Sequence, residues 1–346
     1  MMSSSPAPHS TEPASGDPHR SPLLKIRDLR TYFRVEGGVA KAVDGVSLDV
    51  FPDEVLGIVG ESGSGKSVTS LSIMRLVPDP PGLNAGGKIL FQGHDLLTLS
   101  YDEMHQIRGS EIGMVFQEPM TALNPVFTVG MQLIETVRAH LNVSRRKSRE
   151  MAVAMLTRVG IPDASKRLSE YPHQFSGGMR QRVMIAMALI CNPVLLIADE
   201  PTTALDVTTQ SQILDLMLEL KLQRKGGAII LITHDLAVVA ETCQRVVVMY
   251  GGKIQEVGTV DQIFHDPRHP YTRGLLASLP AVGAKRHERL RAIRGNVPSI
   301  HDLPVGCKFC TRCDDVMDRC ETDEPALNQL EEGHAVRCHL LEDEAR

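Results

Sequence analysis

The sequence predicts an α/β protein with a mainly parallel sheet flanked by helices. Three apolar runs carry this prediction, at Val55–Val59, Val194–Ala198 and Ala228–Thr233. Each run has the length of a buried strand, and helix-like patterns lie between them, as expected for parallel strands. A glycine-rich turn or a polar side chain follows each run, where open α/β sheets bind their ligands. The same three strand ends therefore predict the position of a site.

Composition limits the classes of protein that the chain can represent. It has 346 residues, of which 42% are apolar, enough for a core domain with an appendage. The net charge of −5 gives no overall electrostatic signature for nucleic acid, so no nucleic-acid partner is expected. Every apolar run is shorter than the roughly 18 residues of a membrane span. Residues 1–22, rich in Ser and Pro, are expected to form a disordered leader.

The first apolar run leads into GESGSGKS, and a segment with a helical pattern, Val68–Leu76, follows. A glycine-rich turn that opens a helix surrounds a phosphate with backbone N–H groups. In this pattern Lys66 reaches the terminal phosphates and Ser67 ligates magnesium. The sequence therefore predicts a nucleotide loop. Its residues are Gly60, Glu61, Ser62, Gly63, Ser64, Gly65, Lys66 and Ser67.

The second and third strand ends supply candidate catalytic side chains. Asp199 and Glu200 follow the second run. Asp199 is expected to hold magnesium through water, and Glu200 is expected to polarise the attacking water. His234 follows the third run and is a candidate sensor of the terminal phosphate. A single histidine at such a place is more often structural, so this role needs support from elsewhere in the chain.

That support comes from FSGGMRQR at residues 175–182. A Ser-Gly-Gly turn followed by a predicted helix over Met179–Ile190 makes a second helix N-terminus and so a second anion site. Ser176, Gly177 and Gly178 are therefore assigned to a phosphate. One nucleotide does not need two such sites.

Together these motifs resemble the ATP-binding cassette (ABC) family over residues 23–265. The matching segments are Walker A at 60–67, the Q-loop glutamine Gln117 within Val115–Pro119, the signature at 175–182, Walker B at Leu195–Glu200, the D-loop at Ala204–Asp206 and the switch histidine His234. The resemblance implies a P-loop NTPase (RecA-like) ABC cassette that hydrolyses ATP, with magnesium held by Ser67, Gln117 and Asp199. It also implies that the signature of one subunit binds the γ-phosphate held by the Walker A loop of the opposite subunit.

Two features of the family pattern are altered or left open here. The commonest ABC signature has Leu and Gln where Phe175 and Met179 stand, but the Ser-Gly-Gly core is kept, so phosphate binding is expected. Phe33 aligns with the family's aromatic residue that stacks on adenine, and the adjacent Tyr32 is the alternative.

The segment Met120–His173 is mostly helical in pattern, with amphipathic runs at Met131–Leu141 and Arg149–Val159. The resemblance identifies residues 119–178 as the helical subdomain that carries the signature and faces a transmembrane partner. A purely structural helical insert is the alternative.

Two other classes of nucleotide-binding protein compete with a transporter subunit. Soluble ABC ATPases of DNA repair or translation typically carry a long coiled coil or two cassettes, and this sequence has neither sustained heptads nor a second Walker A motif. A P-loop kinase would not need the signature. A single cassette without a membrane span needs membrane partners if it serves transport.

The C-terminal tail resembles the extension of ATPase subunits in the dipeptide, oligopeptide and nickel importer family. The matching segments are PRHPYTRGLL at 267–276, PVGCKFCTRCDDVMDRC at 304–320 and VRCHL at 336–340. Length and motif order resemble the D-type subunits of peptide permeases, which implies ATP-powered import of di- or oligopeptides. Nickel, glutathione or another small solute is the alternative, because related importers share this tail.

The resemblance also implies partners and a division of the chain. The partners are a second ABC ATPase subunit in a heterodimer, two transmembrane permease subunits and, indirectly, an extracytoplasmic substrate-binding protein. The chain would lie peripherally on the cytoplasmic face of the bacterial inner membrane. The expected division is a leader at 1–22, the ABC ATPase domain at 23–265 and the C-terminal extension at 266–346.

The seven cysteines are unevenly placed. Cys191 and Cys243 stand alone and are expected to be small buried hydrophobes, whereas the other five crowd the tail. In an intracellular chain such a cluster is more often a metal site than a disulfide framework.

The resemblance assigns a structural four-iron four-sulfur cluster to this tail. Its ligands are expected to be Cys307, Cys313, Cys320 and Cys338. Cys310 completes a CxxCxxC run like that of bacterial ferredoxins, but the family pattern has no cysteine there, so Cys310 is assigned as spare. Tetrahedral zinc also accepts four thiolates and is the alternative metal.

Overall fold

The chain folds into two β-sheets with helices packed on them. The computed structural model describes residues 21–118, 122–202, 207–278 and 293–341, without the side chains of 207–208 and 220–223. The strands are β1 (Leu24–Val35), β2 (Gly38–Val50), β3 (Val55–Val59), β4 (Gly82–Phe91), β5 (His94–Asp95), β6 (Ile112–Val115), β7 (Leu195–Asp199), β8 (Ala228–Ile232), β9 (Arg245–Tyr250), β10 (Lys253–Thr259), β11 (Asn328–Glu331) and β12 (His334–Val336). The helices are α1 (Lys66–Ile73), α2 (Tyr101–Ile107), α3 (Val129–His140), α4 (Arg145–Arg158), α5 (Ala164–Arg167), α6 (Gly177–Leu189), α7 (Val207–Gln223), α8 (Leu236–Thr242), α9 (Val260–His265), α10 (Pro270–Ala277) and α11 (Arg319–Thr322).

The larger sheet contains the three predicted strands. Its order is β11-β12-β10-β9-β3-β8-β7-β6, and the strands from β9 to β6 run parallel. Every residue of β3, β7 and β8 is buried, which explains their continuous apolar composition. Val55 and Val59 belong to the core on one face of the sheet, and Leu56 and Ile58 to the core on the other. The predicted parallel sheet is confirmed, with β7 shifted by one residue so that Asp199 closes the strand.

Helix boundaries differ from the predicted ones for local reasons. Helix α1 begins at Lys66, before the predicted start, and ends at Ile73. Arg75 then adopts a φ of 50°, in the left-handed region that terminates helices. Helix α6 begins at Gly177 rather than Met179, because the Ser176 hydroxyl caps it by accepting a backbone N–H.

The segment between β6 and β7 is helical, as predicted. The runs at Met131–Leu141 and Arg149–Val159 correspond closely to α3 and to α4 after its first turn. Thr128 and Ser144 start these two helices as hydroxyl N-caps. Both helices bury an apolar face against α6. In the part of the chain that the structure describes, no helix is both long enough and apolar enough to cross a membrane.

A second, antiparallel sheet of order β2-β1-β4-β5 was not predicted. Its strands are interrupted by shifts of register, one of them at Asp28, which has a φ of 48°. Such bulges break the alternation of apolar and polar residues by which strands are recognised. Apolar side chains of β1 and β4 pack in one core with β3 and thereby hold this sheet against the larger one.

The residues after 265 are joined to the rest of the fold by strand pairing and by a buried ion pair. Strand β12 pairs with β10, so the C-terminal residues extend the larger sheet. The fully buried Glu256 carboxylate lies 2.8 Å from His334 Nε2. It also accepts the backbone N–H groups of Arg268 and His269. A buried carboxylate needs such partners, so these contacts fix the extension in place.

Candidate nucleotide site

The predicted nucleotide loop lies between β3 and α1 and has the glycines that its path requires. A Cβ atom at Gly60 would lie 2.1 Å from the Met249 carbonyl oxygen, and one at Gly65 would lie 2.4 Å from the Ala42 carbonyl oxygen. Both glycines also have positive φ values, 148° and 100°. Ser62 is exposed at the tip of the loop. The backbone can therefore curl tightly while leaving its mouth open to a ligand.

Lys66 is buried and folded back over the loop. Its Nζ donates to the carbonyl oxygens of Gly60 at 2.7 Å and Glu61 at 3.0 Å, and to Ser64 Oγ at 3.4 Å. Burial lowers the pKa of Lys66, and the nearby Glu200 and Asp199 carboxylates oppose that shift. The lysine thus lies within the field of both carboxylates of the second predicted strand end.

Asp199 ends β7 with only 4% of its surface exposed. Its Oδ1 has no hydrogen-bond partner, and its carboxylate accepts a hydrogen bond from Ser67. Burial raises the pKa of Asp199, and the neighbouring Glu200 charge adds to the effect. A buried carboxylate oxygen without a partner, beside a hydroxyl, suits a hard cation such as Mg²⁺. Ser67 and Asp199 therefore fit the predicted magnesium site.

Three strand ends meet at the Glu200 carboxylate. Gln117, after β6, donates from Nε2 to Glu200 Oε2 at 3.1 Å, and His234 Nδ1, after β8, lies 3.5 Å from Glu200 Oε1. Glu200 itself has a φ of 47°, and its N–H donates to the Ile232 carbonyl at 2.9 Å. A left-handed backbone conformation costs free energy in a glutamate, so the surrounding contacts must hold Glu200 in this conformation. The structure thus brings together the catalytic candidates that the sequence left far apart.

The signature begins a helix at an exposed place. Ser176 and Gly177 are exposed, and Ser176 caps α6. Phe175 is buried beneath the Arg167 guanidinium, whose carbon lies 5.6 Å from the ring centroid, and its carbonyl accepts from Arg180 Nε at 3.0 Å. The Phe for Leu departure therefore places a larger apolar anchor under an unaltered phosphate-binding turn. The predicted D-loop at 204–206 lies outside the described residues.

The adenine-stacking candidates lie next to each other on β1. The Tyr32 hydroxyl donates to Asp44 Oδ1 at 2.6 Å, and burial together with this bond raises the pKa of Tyr32 to about 12. Phe33 is half-buried opposite Ala40 and has no polar group to satisfy. The choice of Phe33 over Tyr32 stays a prediction.

Five thiols of the extension line one small cavity, together with Phe309 and His269. They belong to Cys307, Cys310, Cys313, Cys320 and Cys338, none of which is in a disulfide. Burial raises the pKa of Cys307 to about 12 and that of Cys313 to about 11. Across the described residues, no group of three or more His, Cys, Asp or Glu side chains is arranged to hold a metal ion. The thiols are therefore neighbours without being in a coordination geometry.

The two isolated cysteines differ in burial. Cys243 is buried, as expected, with its Sγ 3.0 Å from where a Cβ of Gly57 would lie. Cys191 is only half-buried, although burial still raises the pKa of its thiol to about 11. Cys310 lines the same cavity as the four assigned ligands, so its location does not distinguish it from them. Its assignment as spare stays a prediction.

Two residues of the extension contact the nucleotide loop, although no nucleotide-binding pattern in the sequence points to them. Arg312 forms an ion pair with Glu61, and the Tyr271 hydroxyl accepts the Glu61 N–H at 2.8 Å. Neither residue belongs to a nucleotide motif. The sequence signal for both is that they lie in segments resembling the importer extension, Tyr271 within 267–276 and Arg312 within 304–320.

The ends of the parallel strands bring together a phosphate loop, a buried aspartate and a glutamate held by two neighbouring side chains. This arrangement defines a P-loop NTPase. Residues 43–203 match the family described as ABC transporter, and residues 255–320 match the family described as oligopeptide/dipeptide transporter, C-terminal region. The chain belongs to the ABC transporter family and is an ATP-binding subunit, an ATPase.

Known relatives resemble nearly the whole chain. A putative peptide import ATP-binding protein of Brucella ovis is 52% identical over 329 residues, covering 92% of this chain and 97% of its own length. The oligopeptide transport ATP-binding protein OppD of Bacillus subtilis is 51% identical, covering 93% and 90%. The dipeptide transport ATP-binding protein DppD of Escherichia coli is 50% identical, covering 93% and 98%.

Solved structures resemble the cassette part. The ATP-binding cassette MJ0796, in a dimeric post-hydrolysis state bound to ADP and Pi, has a TM-score of 0.62 and 28% sequence identity. The similarity covers 69% of this chain and 99% of that one. The ABC cassette fold expected from the motifs is therefore confirmed.

Proposed function

We propose that this chain hydrolyses ATP to power the import of di- or oligopeptides through a membrane transporter. The observation that carries the proposal is the C-terminal region, which matches the oligopeptide/dipeptide transporter family in addition to the cassette. Relatives named for peptide import resemble more than nine-tenths of the chain. Import of nickel, glutathione or another small solute is the alternative, because the ATPase does not touch the transported molecule.

In the proposed reaction each residue at the strand ends has a separate task. Lys66 and the loop N–H groups hold the phosphates, and Ser67, Asp199 and Gln117 would hold Mg²⁺, which would neutralise phosphate charge when bound. Glu200 orients the attacking water and accepts its proton, and His234 senses the terminal phosphate. The contacts of Gln117 and His234 with the Glu200 carboxylate support these roles.

We also propose the assembly in which this chemistry works. The signature at Ser176–Gly178, which is exposed at Ser176 and Gly177, would face the phosphate loop of a second, related ATPase subunit. Two transmembrane permease subunits would dock on the helical subdomain, at about 119–178, and an extracytoplasmic binding protein would deliver the substrate. The cassette would occupy 23–265 and the extension 266–346, on the cytoplasmic face of the bacterial inner membrane.

We propose that the thiol cavity holds a structural four-iron four-sulfur cluster. The donor set fits in kind and number, because five thiols line the cavity and a cluster needs four thiolates, although the described side chains are not arranged in a coordination geometry. Cys307, Cys313, Cys320 and Cys338 would be the ligands, and zinc is the alternative. Such a metal group would fasten a segment that has little apolar core of its own.

Peptide uptake tests the proposed substrate. In a strain lacking this chain, wild-type protein is expected to restore uptake of labelled di- and tripeptides, whereas Glu200→Gln is not, because uptake needs hydrolysis. The matched control is Glu241→Gln, the same change at an exposed carboxylate on α8. Restored nickel uptake without peptide uptake would refute the peptide assignment, and restoration of neither would favour a soluble ATPase.

Iron analysis tests the cluster without reference to activity. Protein purified without oxygen is expected to be brown, with iron and acid-labile sulfide at about four each per chain. Cys320→Ser should bleach the colour and increase proteolysis of the extension, because one ligand is lost. Cys310→Ser is the control and should leave the colour intact. Stoichiometric zinc without iron would rule out the cluster, and bleaching by Cys310→Ser would overturn the ligand assignment.

A further inference from the structure

Glu61 of the phosphate loop has a partner for each of its polar groups. Its carboxylate accepts hydrogen bonds from both terminal nitrogens of Arg312, at 2.5 and 3.1 Å. Its N–H donates to the Tyr271 hydroxyl at 2.8 Å, and its carbonyl accepts from Lys66 Nζ at 3.0 Å. Two of these three partners come from the C-terminal extension. The extension therefore holds the residue against which the phosphate-binding lysine rests.

Arg312 is itself rigidly held. Its side chain is only 4% exposed, and its Nε donates to the Arg294 carbonyl at 2.9 Å. Its guanidinium lies over the rings of Tyr250 and Phe309, at 5.8 and 6.0 Å from their centroids. A planar guanidinium in a two-point contact with a carboxylate fixes orientation as well as distance. The position of Glu61 is thus defined by a group with little freedom of its own.

We propose that Arg312 and Tyr271 are positioning residues that preset the phosphate loop for ATP. If Glu61 moved, the Lys66 amine and the N–H groups that follow Glu61 would move with it. ATP would then have to order the loop on binding, and that cost would appear as weaker affinity. The inference rests on the proposed assignment of Gly60–Ser67 to the phosphates.

The same arginine connects the loop to the thiol cavity. The backbone N–H of Arg312 donates to the Phe309 carbonyl at 3.0 Å, and Phe309 lines the cavity. The Phe309 ring also lies 5.2 Å from the Tyr271 ring, centroid to centroid. Both positioning residues therefore pack on a side chain that the cysteine region holds.

Affinity and turnover of the Arg312→Met variant test the proposal. Met keeps apolar contact with the rings, and Glu61, with 27% of its side chain exposed, can be hydrated when its partner is removed. With full-length protein and a fluorescent ATP analogue, we expect the Kd to rise about tenfold, equivalent to about 1.4 kcal/mol. In the assembled transporter the KM for ATP should rise similarly, while kcat stays within about twofold, because Arg312 does not touch the reacting atoms.

A double-mutant cycle separates positioning from general damage. Glu61→Gln combined with Arg312→Met should bind ATP no more weakly than the worse single variant, because both remove the same contact. Arg294→Met is the control, since that arginine lies in the same extension with its side chain 85% exposed, and it should bind normally. Tyr271→Phe, which removes only the hydroxyl that accepts the Glu61 N–H, should weaken binding about threefold.

Failure of the positioning role of Arg312 and failure of the phosphate-site assignment give different results in these variants. A lower Tm of Arg312→Met with unchanged Kd and KM would overturn the inference and leave Arg312 merely structural. If that variant does not fold, normal affinity in both Glu61→Gln and Tyr271→Phe would overturn it. Lys66→Ala should lose ATP binding in every case. Unchanged affinity of Lys66→Ala would instead reject the phosphate-site assignment itself.

Discussion

Replacing Glu200 by Gln is expected to lower ATP turnover at this subunit's site at least about a hundredfold while leaving ATP affinity within about twofold. The amide keeps the size of the side chain and its contact with Gln117, but it cannot accept a proton from the attacking water. Asp199 and Lys66, the residues proposed to hold magnesium and phosphate, are unchanged. Phosphate release is measured in the assembled transporter with the partner's own site disabled, so that only this site is counted.

The control for this result is Glu241→Gln, which makes the same change at an exposed carboxylate away from the strand ends. It should turn over at the wild-type rate. Normal turnover by Glu200→Gln would remove Glu200 from the catalytic role. A parallel loss of ATP affinity would show that the substitution had disturbed the site more widely than the chemical argument allows.

Ser176→Arg is expected to abolish closure of the ATPase pair while sparing ATP binding at this chain's own Walker A loop. In the proposed assembly the arginine places bulk where the facing phosphate approaches the N-terminus of α6, and this surface is exposed at Ser176 and Gly177. Hydrolysis in the assembled transporter should fall to background, because the facing ATP is no longer enclosed. ATP binding and ATP-dependent cross-linking of the two subunits are measured separately.

Two variants keep this test specific. Ser165→Arg introduces the same side chain at an exposed serine of α5 in the same subdomain, and closure should persist. Ser176→Ala removes the cap but keeps the backbone N–H groups, at a cost of about 1 kcal/mol to the helix, and should be milder. If the Ser176→Arg variant lost ATP affinity at its own Walker A loop and the ATPase pair still closed, the assignment of Lys66 and Ser176 to different nucleotides would be wrong.

Part of the fold could be predicted from short segments of the sequence, because apolar runs and amphipathic patterns lie within single strands and helices. Strand β3 has the bounds that its apolar run predicts, and β8 ends one residue earlier than predicted. The helical subdomain follows from amphipathic patterns. The antiparallel sheet was missed because its strands are half-exposed and interrupted by bulges such as that at Asp28. Pairing between strands, rather than the pattern within any one of them, defines that sheet.

The candidate site was predicted as separate pieces. Glycine spacing, strand ends and a helix start each have a sequence signature, so Lys66, Asp199, Glu200, His234 and Ser176 could all be named. The contact between Gln117 and Glu200 spans 83 positions and was not predicted. A long-range contact leaves no trace in local periodicity, so the meeting of three strand ends on one carboxylate required the folded sheet.

The sequence by itself determined which chemistry the chain can perform, because phosphate loops, strand-end carboxylates and capped helix starts are local arrangements of few residues. Only the tertiary structure decided that the C-terminal extension completes the cassette. Strand β12 extends the cassette sheet, and Arg312 meets Glu61 across 251 positions. Neither contact has a local pattern in the sequence. The ion pair between a cysteine-rich turn and a phosphate loop forms only when the folded sheet brings these two distant segments together.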